Sequence, residues 1–252
     1  MNPRHAQIVE ALAERGEASV RDLAARFGVA EMTIRRDLAE LQREGRLQRT
    51  HGGAVLSRAG VVEFAFKEKG RERAAEKRAI AACVAGLIRP GMAISLDTGT
   101  TTLEVARAVA GMRELTVLTS SLVIASALYA QDGIELVLLG GTVRSGNPDL
   151  SGWLTEENLR RFRVDLAILG ADGINLDGAF TTDVAVARVS QAMIAGAGAV
   201  VLAADSTKFE RTAFVQFASW ADIDHVATDA GVPARVRRWL DKTAKRVAYA
   251  QT

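Results

Sequence analysis

From Ala75 to the C-terminus, short apolar β-type runs alternate with longer Ala-rich stretches, and this alternation constrains the fold more than any other feature. The runs are Ala93–Asp97, Thr116–Thr119, Glu135–Leu139, Leu166–Leu169, Val200–Ala204 and His225–Thr228, each bounded by Gly, Asp, Ser or Thr. Helical stretches fall between most of them, at 76–88, 102–110, 121–129, 155–161, 184–195 and 233–244. Strands separated by helices join as a mainly parallel sheet covered on both faces, an α/β architecture.

The first 57 residues have another texture, Arg-rich and without lysine. Ile8 and Leu12 follow Pro3 at helical spacing. Ser19 suits the N-cap of a second helix with Val20, Leu23, Ala24 and Phe27 on one face, closed by Gly28. A third helix carries Ile34, Leu38 and Leu41 as its apolar stripe and ends at Gly45. Residues 46–51 read as a strand, and Gly52-Gly53 turns into Ala54–Leu56, giving a small hairpin or wing. The expected division is a winged helix-turn-helix over 1–57, a polar linker over 58–74 and an α/β domain over 75–252.

Composition narrows the function classes. With 252 residues, 48% of them apolar, the chain can build a sizeable core. Its net charge of +2 makes it no polycation, so nucleic-acid contacts must come from local placement of charge. Cys83, the sole cysteine, excludes an intrachain disulfide and a Cys-rich zinc site, and it reads as a small buried hydrophobe. His5, His51 and His225 lie too far apart in sequence to suggest a metal site, and no cofactor is implied. No signal-type apolar core follows Met1, and the most apolar run, Ala195–Ala204, is too short to span a bilayer, so the cytoplasm is the expected location.

With Ile34 at the centre of the buried face of helix three, Met32, Arg36, Ala39 and Arg43 point away from it, with Thr33 and Arg35 on the flanks. In a helix-turn-helix the early residues of the second helix read base edges in the major groove, where Arg takes guanine bidentately and Thr meets a thymine methyl. Arg46, Arg49 and His51 on the wing would meet phosphates or the minor groove. The candidate DNA-binding set is Ser19, Met32, Thr33, Arg35, Arg36, Arg43, Arg49 and His51.

The run Thr33-Ile34-Arg35-Arg36-Asp37-Leu38, followed by Arg49-Thr50-His51-Gly52-Gly53-Ala54, resembles the N-terminal winged helix-turn-helix of the DeoR family of bacterial transcriptional regulators. Ala30 stands where the family often has a capping Ser.

In an open parallel sheet, ligands sit at the carboxyl ends of the strands. Thr98-Gly99-Thr100-Thr101-Thr102 follows one strand end and opens a helix whose N-terminus suits an anion. Ser120-Ser121, Gly140-Gly141, Asp172 and Lys208 stand beyond others. The expected ligand is a phosphorylated sugar or polyol, held by Asp97, Gly99, Thr100, Thr101, Thr102, Ser120, Ser121, Gly140, Gly141, Asp172 and Lys208, with carboxylates accepting from its hydroxyls. Trp153 is a further candidate for lining the pocket.

These loops, together with Glu76-Lys77-Arg78-Ala79-Ile80 and Ala204-Asp205-Ser206-Thr207-Lys208-Phe209, are similar to the sensor domain of the same family. That resemblance implies a Rossmann-like layer structure related to ribose-5-phosphate isomerase and CoA-transferases. It also implies a repressor of a carbohydrate operon, released from double-stranded operator DNA by its effector, and less often an activator. Lys69, Arg73 and Ser120-Ser121 depart from the family pattern. A single wing and helix read few base pairs, so a homo-oligomer is expected. The rival reading is a sugar-phosphate isomerase with an N-terminal appendage. It needs a carboxylate base poised over the C–H bond. After Asp172 the nearby acids are Asp177 and Asp183, with no Glu-Lys pair of the isomerase kind before Gln191, so a regulator rather than an enzyme is expected.

Overall fold

A computed structural model describes residues 3–252, except the side chains of Arg58, Ala59 and Glu63. The chain forms two compact units, one running to Arg71 and the other taking Glu72–Arg144 and Pro148–Thr252. Among the described residues no helix is long and apolar enough to cross a membrane.

The N-terminal unit opens with α1 (Pro3–Arg15), β1 (Glu17–Ser19), α2 (Val20–Phe27) and α3 (Glu31–Arg43). Strands β2 (Leu47–Arg49) and β3 (Gly53–Leu56) form the wing, and α4 (Arg58–Arg71) follows. Local chemistry sets the boundaries. Ser19 caps α2, its hydroxyl accepting the Asp22 N–H at 3.0 Å. Gly28 ends α2 with φ at 63°, a conformation glycine adopts without steric cost. Ala30 supplies no side-chain cap to α3. The wing has a third strand beyond the expected hairpin: β1 pairs with β3, Ala18 opposite Ala54. Ile8, Leu12, Leu23, Ile34, Leu38, Leu41 and Leu47 are fully buried together.

Residues 58–74, expected as a polar linker, are helical from Arg58 to Arg71. Gly60 in this helix lets the backbone approach closely, since a Cβ there would stand 1.9 Å from the Arg46 carbonyl oxygen.

The second unit begins with α5 (Ala74–Ala85), then β4 (Ala93–Leu96), α6 (Thr100–Val109), β5 (Leu115–Thr119), α7 (Leu122–Leu128) and β6 (Ile134–Leu138). A short hairpin, β7 (Thr142–Val143) and β8 (Leu150–Ser151), leads to α8 (Trp153–Arg160) and β9 (Val164–Leu169). Then come β10 (Gly173–Asn175), β11 (Gly178–Thr181), α9 (Val184–Ala195) and β12 (Ala197–Ala203). The chain ends through β13 (Val215–Ser219), β14 (His225–Asp229), α10 (Ala234–Thr243) and β15 (Val247–Ala250).

All six expected strands lie in one seven-stranded sheet of order β15-β14-β12-β9-β4-β5-β6, its neighbours paired in parallel. Its central strands are largely buried on both faces, which is why they read as mainly apolar runs, broken by Ser95 in β4 and Asp165 in β9. The seventh strand, β15, and an antiparallel sheet of order β10-β11-β13 lie outside the sequence expectation. From β4 the chain winds outward through β5 and β6, then returns to the other side of β4 and winds through β9, β12 and β14. The direction of winding therefore reverses between β4 and β9, and this reversal places the crevice of an open α/β sheet.

Candidate nucleic-acid interface and sensor crevice

In the N-terminal unit, α3 buries Ile34, Leu38 and Leu41 and turns Met32, Arg36 and Arg43 outward, Met32 being 60% exposed. Thr33 is half-buried, and Arg35 is exposed and paired with Glu31 at 3.3 Å. Arg49 and His51 are exposed on the wing. The Ser19 hydroxyl also donates to Asp22 Oδ2 at 2.7 Å, so its bonds are spent on the helix cap. Arg46, expected to meet phosphate, is instead buried. Its chain end lies 3.9 Å from Glu44, and its carbonyl accepts the Ser57 N–H, so it belongs to the wing's base.

Asp37 was not singled out in the sequence. It is 5% exposed on the inner side of α3 and accepts from Arg4 Nε at 2.5 Å and Nη2 at 3.0 Å, with His5 Nε2 at 3.2 Å. Burial pushes the Asp37 carboxyl up, but the Arg4 and His5 bonds outweigh it and hold it below its usual value. The network ties α1 to the helix that carries Arg36. Asp37→Ala is expected to destabilise this unit by about 1–3 kcal/mol in a denaturant melt. Because the folded-state value is depressed, the contribution stands above the unfolded value near pH 4 and is lost as pH falls.

In the second unit, the expected ligand-binding loops follow β12, β9, β4, β5 and β6, five adjacent strands with the winding reversal among them. Asp97 follows β4 directly and is 4% exposed. One of its carboxylate oxygens accepts the Gly170 N–H at 3.2 Å across the reversal point, and the other has no hydrogen-bond partner among the described residues. Burial, joined by the charges of Asp149 and Asp172, pushes its pKa up to about 7, and the Thr98 and Gly170 N–H groups offset this only partly.

Gly99, with φ at 147°, leads into α6. Thr100 and Thr102 are buried, and the Thr102 hydroxyl donates to the Gly99 carbonyl at 3.1 Å, whereas Thr101 is half-exposed. Ser120 and Ser121 are buried, and Ser121 caps α7 by accepting the Ile124 N–H. Gly140 and Gly141 lie close against Thr155 of α8. Thr155 Oγ1 donates to the Gly140 carbonyl at 2.8 Å, and a Cβ on Gly141 would stand 2.0 Å from that hydroxyl. Asp172 accepts from the Thr181 hydroxyl and from the Thr182 N–H and hydroxyl. Lys208 is half-buried at the end of a 3₁₀ turn, Ser206–Lys208, capped by Asp205.

Sequence reasoning missed Arg144. Its guanidinium forks onto Asp149 at 2.9 and 2.7 Å and reaches Asp183 at 3.0 Å, tying the β7–β8 hairpin to the N-cap of α9. The signal was a lone Arg five residues before an Asp, the two bracketing a Gly-Asn-Pro turn between short β-type runs. Trp153 is 71% exposed, and Cys83 is half-buried rather than buried.

A DeoR-like helix-turn-helix domain matches residues 4–59, and a DeoR C-terminal sensor domain matches residues 72–230. The chain is 35% identical over 251 residues to the HTH-type transcriptional repressor CsqR of Escherichia coli (strain K12), covering 99% of this chain and 96% of that protein. It is 34% identical over 238 residues to the glycerol-3-phosphate regulon repressor of the same strain, covering 94% of each. A ribose 5-phosphate isomerase from Plasmodium falciparum aligns at a TM-score of 0.40 and 16% identity, over 54% of this chain and 52% of that one. An outward-facing Arg36 on the second helix of a winged helix-turn-helix, a sensor domain matched over 72–230 and relatives named as repressors together place this chain in the DeoR family of transcriptional regulators.

Proposed function

We propose that the protein represses a carbohydrate operon and leaves its operator when a phosphorylated sugar or polyol enters the crevice at the winding reversal. The observation that carries this reading is Asp97: a nearly buried carboxylate at the β4–β9 crevice with one oxygen lacking a hydrogen-bond partner among the described residues. It suits a ligand hydroxyl, with Asp172 accepting from a second. The N-terminus of α6 at Gly99–Thr102 and the Lys208 ammonium take the phosphate. Buried Ser120 and Ser121 and half-buried Gly140 and Gly141 shape the walls. Relatives named as repressors, one of them of a glycerol-3-phosphate regulon, support the class.

DNA is read by Met32, Thr33 and Arg36. Arg35, Arg43, Arg49 and His51 meet phosphate, and Ser19 holds the entry to α2. One such head reads few base pairs, so two or more copies bind spaced half-sites as a cytoplasmic homo-oligomer. We read the protein as a regulator without catalysis, which predicts no conversion of ribose 5-phosphate in an isomerase assay.

The test is a thermal-shift screen of phosphorylated sugars and polyols, in which an effector raises the melting temperature by mass action. Lys208→Ala and Thr101→Ala are expected to weaken the active compound about tenfold or more, since a charge-assisted contact contributes about 1.5–3 kcal/mol. Operator affinity without effector should stay near the parent's. Equal shifts in parent and variants would place the phosphate elsewhere.

A further inference from the structure

Arg73 stands second in the C-terminal unit, two residues after α4 ends, and its backbone is in the left-handed region at φ 54° and ψ 35°. For a long side chain this conformation is uncommon and persists where surrounding contacts hold it. Three contacts do so. Its guanidinium lies 3.1 Å from Glu76 Oε1, donates to Ser206 Oγ at 3.1 Å and donates to Asp229 Oδ2 at 3.3 Å.

Asp229 is almost wholly buried and shared. Its Oδ1 accepts the Ser206 N–H at 2.6 Å, and its Oδ2 accepts the Gly231 N–H at 2.9 Å. Ser206 opens the turn that ends at Lys208. Just before Arg73, the Glu72 carbonyl accepts from the buried Lys77 ammonium at 2.6 Å. One buried carboxylate therefore joins the Ser206–Lys208 turn to the residue where the chain enters this unit. The turn cannot shift its first N–H and hydroxyl without disturbing the Arg73 clamp.

We propose that Arg73 is a positioning residue that couples the Ser206–Lys208 turn to the entry of the chain into the sensor unit, and so to operator binding. The inference rests on the reading of Lys208 as an effector contact. The closed clamp belongs to the operator-binding state. A ligand phosphate drawn onto Lys208 moves the turn, Asp229 follows Ser206, and Arg73 is released into a backbone conformation it does not favour by itself.

Two full-length variants test this from opposite sides. Arg73→Asn removes the guanidinium while keeping a residue at home in the left-handed region. Gly231→Ala leaves every charge in place but puts a methyl 2.7 Å from Asp229 Oδ2 and 3.1 Å from Ser206 Oγ. Operator selected by the parent from random duplexes is titrated at fixed salt without ligand, and melting temperature is recorded alongside. Both variants are expected to bind operator about fivefold or more weakly while melting close to the parent. If both bind within about twofold of the parent, the proposal is wrong, whatever the effector does. The pocket reading fails separately. If glycerol 3-phosphate and ribose 5-phosphate shift the melting of parent and Lys208→Ala equally while the Arg73 and Gly231 effects hold, the clamp stands and Lys208 is not the phosphate contact.

Discussion

Asp97→Asn is expected to stabilise the sensor domain relative to the parent by about 4 kcal/mol more at pH 8 than at pH 4. An unfolded Asp97 ionises near pH 4, whereas the folded carboxyl, desolvated and facing Asp149 and Asp172, ionises only at about 7. Between those values the folded protein holds a proton that the unfolded chain has released. Stability therefore falls as pH rises through this window and levels off above it. Asparagine has the same shape and no charge, so its profile lacks this term. Denaturant melts of both proteins from pH 4 to pH 8 measure the difference. A pH-independent difference would mean that Asp97 is ionised throughout, solvated in a way its burial does not suggest. On the proposed reading, the stability lost in the parent is the cost of burying a carboxylate that a ligand hydroxyl meets, a common pattern at binding sites.

The second large effect is at the DNA. Arg36 points away from the buried Ile34–Leu38–Leu41 stripe and lies in the part of α3 that enters the major groove of a helix-turn-helix complex. Arg36→Ala is expected to cost about 1–3 kcal/mol at the cognate operator and to relax base preference at one position. Arg35 leans onto Glu31 and is proposed as a phosphate contact. Its alanine variant should weaken all sequences alike and lower the salt slope by about one. Titrations of cognate and scrambled duplexes at several salt concentrations separate the two. Parent-like binding by both variants would exclude α3 as the reading helix.

The legible parts of this fold were those fixed by local pattern. The central strands, largely buried on both faces, could be read because few polar residues interrupt them. The recognition helix could be read because Ile34, Leu38 and Leu41 recur at helical spacing between a left-handed Gly28 and Gly45. The missed features are those decided by tertiary partners. β1 has three residues and exists because Gly53 allows the chain at Ala18 to approach. The β10-β11-β13 sheet is built from strands of three to five residues, too short for an alternation to declare itself. Helix α4 carries Gly60 and Gly70 among dense charge and reads as a linker until its packing is known.

The sites follow the same division. The loops beyond the strand ends could be placed from β–α junction chemistry alone. Arg144 could not, because Asp183 lies thirty-nine residues away and meets it only through the fold. Asp37 is a charged residue on the inner face of a helix, and Arg4 and His5, more than thirty residues earlier, make it tolerable there. Arg46 differs for the converse reason: an arginine on a wing reads as a phosphate contact, but here it is buried, with its guanidinium near Glu44 and its carbonyl bonded to Ser57.

The most direct measurement is fluorescence anisotropy of labelled operator DNA bound to the full-length protein, titrated with each phosphorylated sugar or polyol and with its unphosphorylated parent compound. One phosphorylated compound should release the DNA, its parent compound should do so only at far higher concentration, and Lys208→Ala should blunt the release without changing affinity for the operator. Equal release by the unphosphorylated compound, or release from Lys208→Ala at the same concentration as from the parent protein, would contradict phosphate sensing at this crevice.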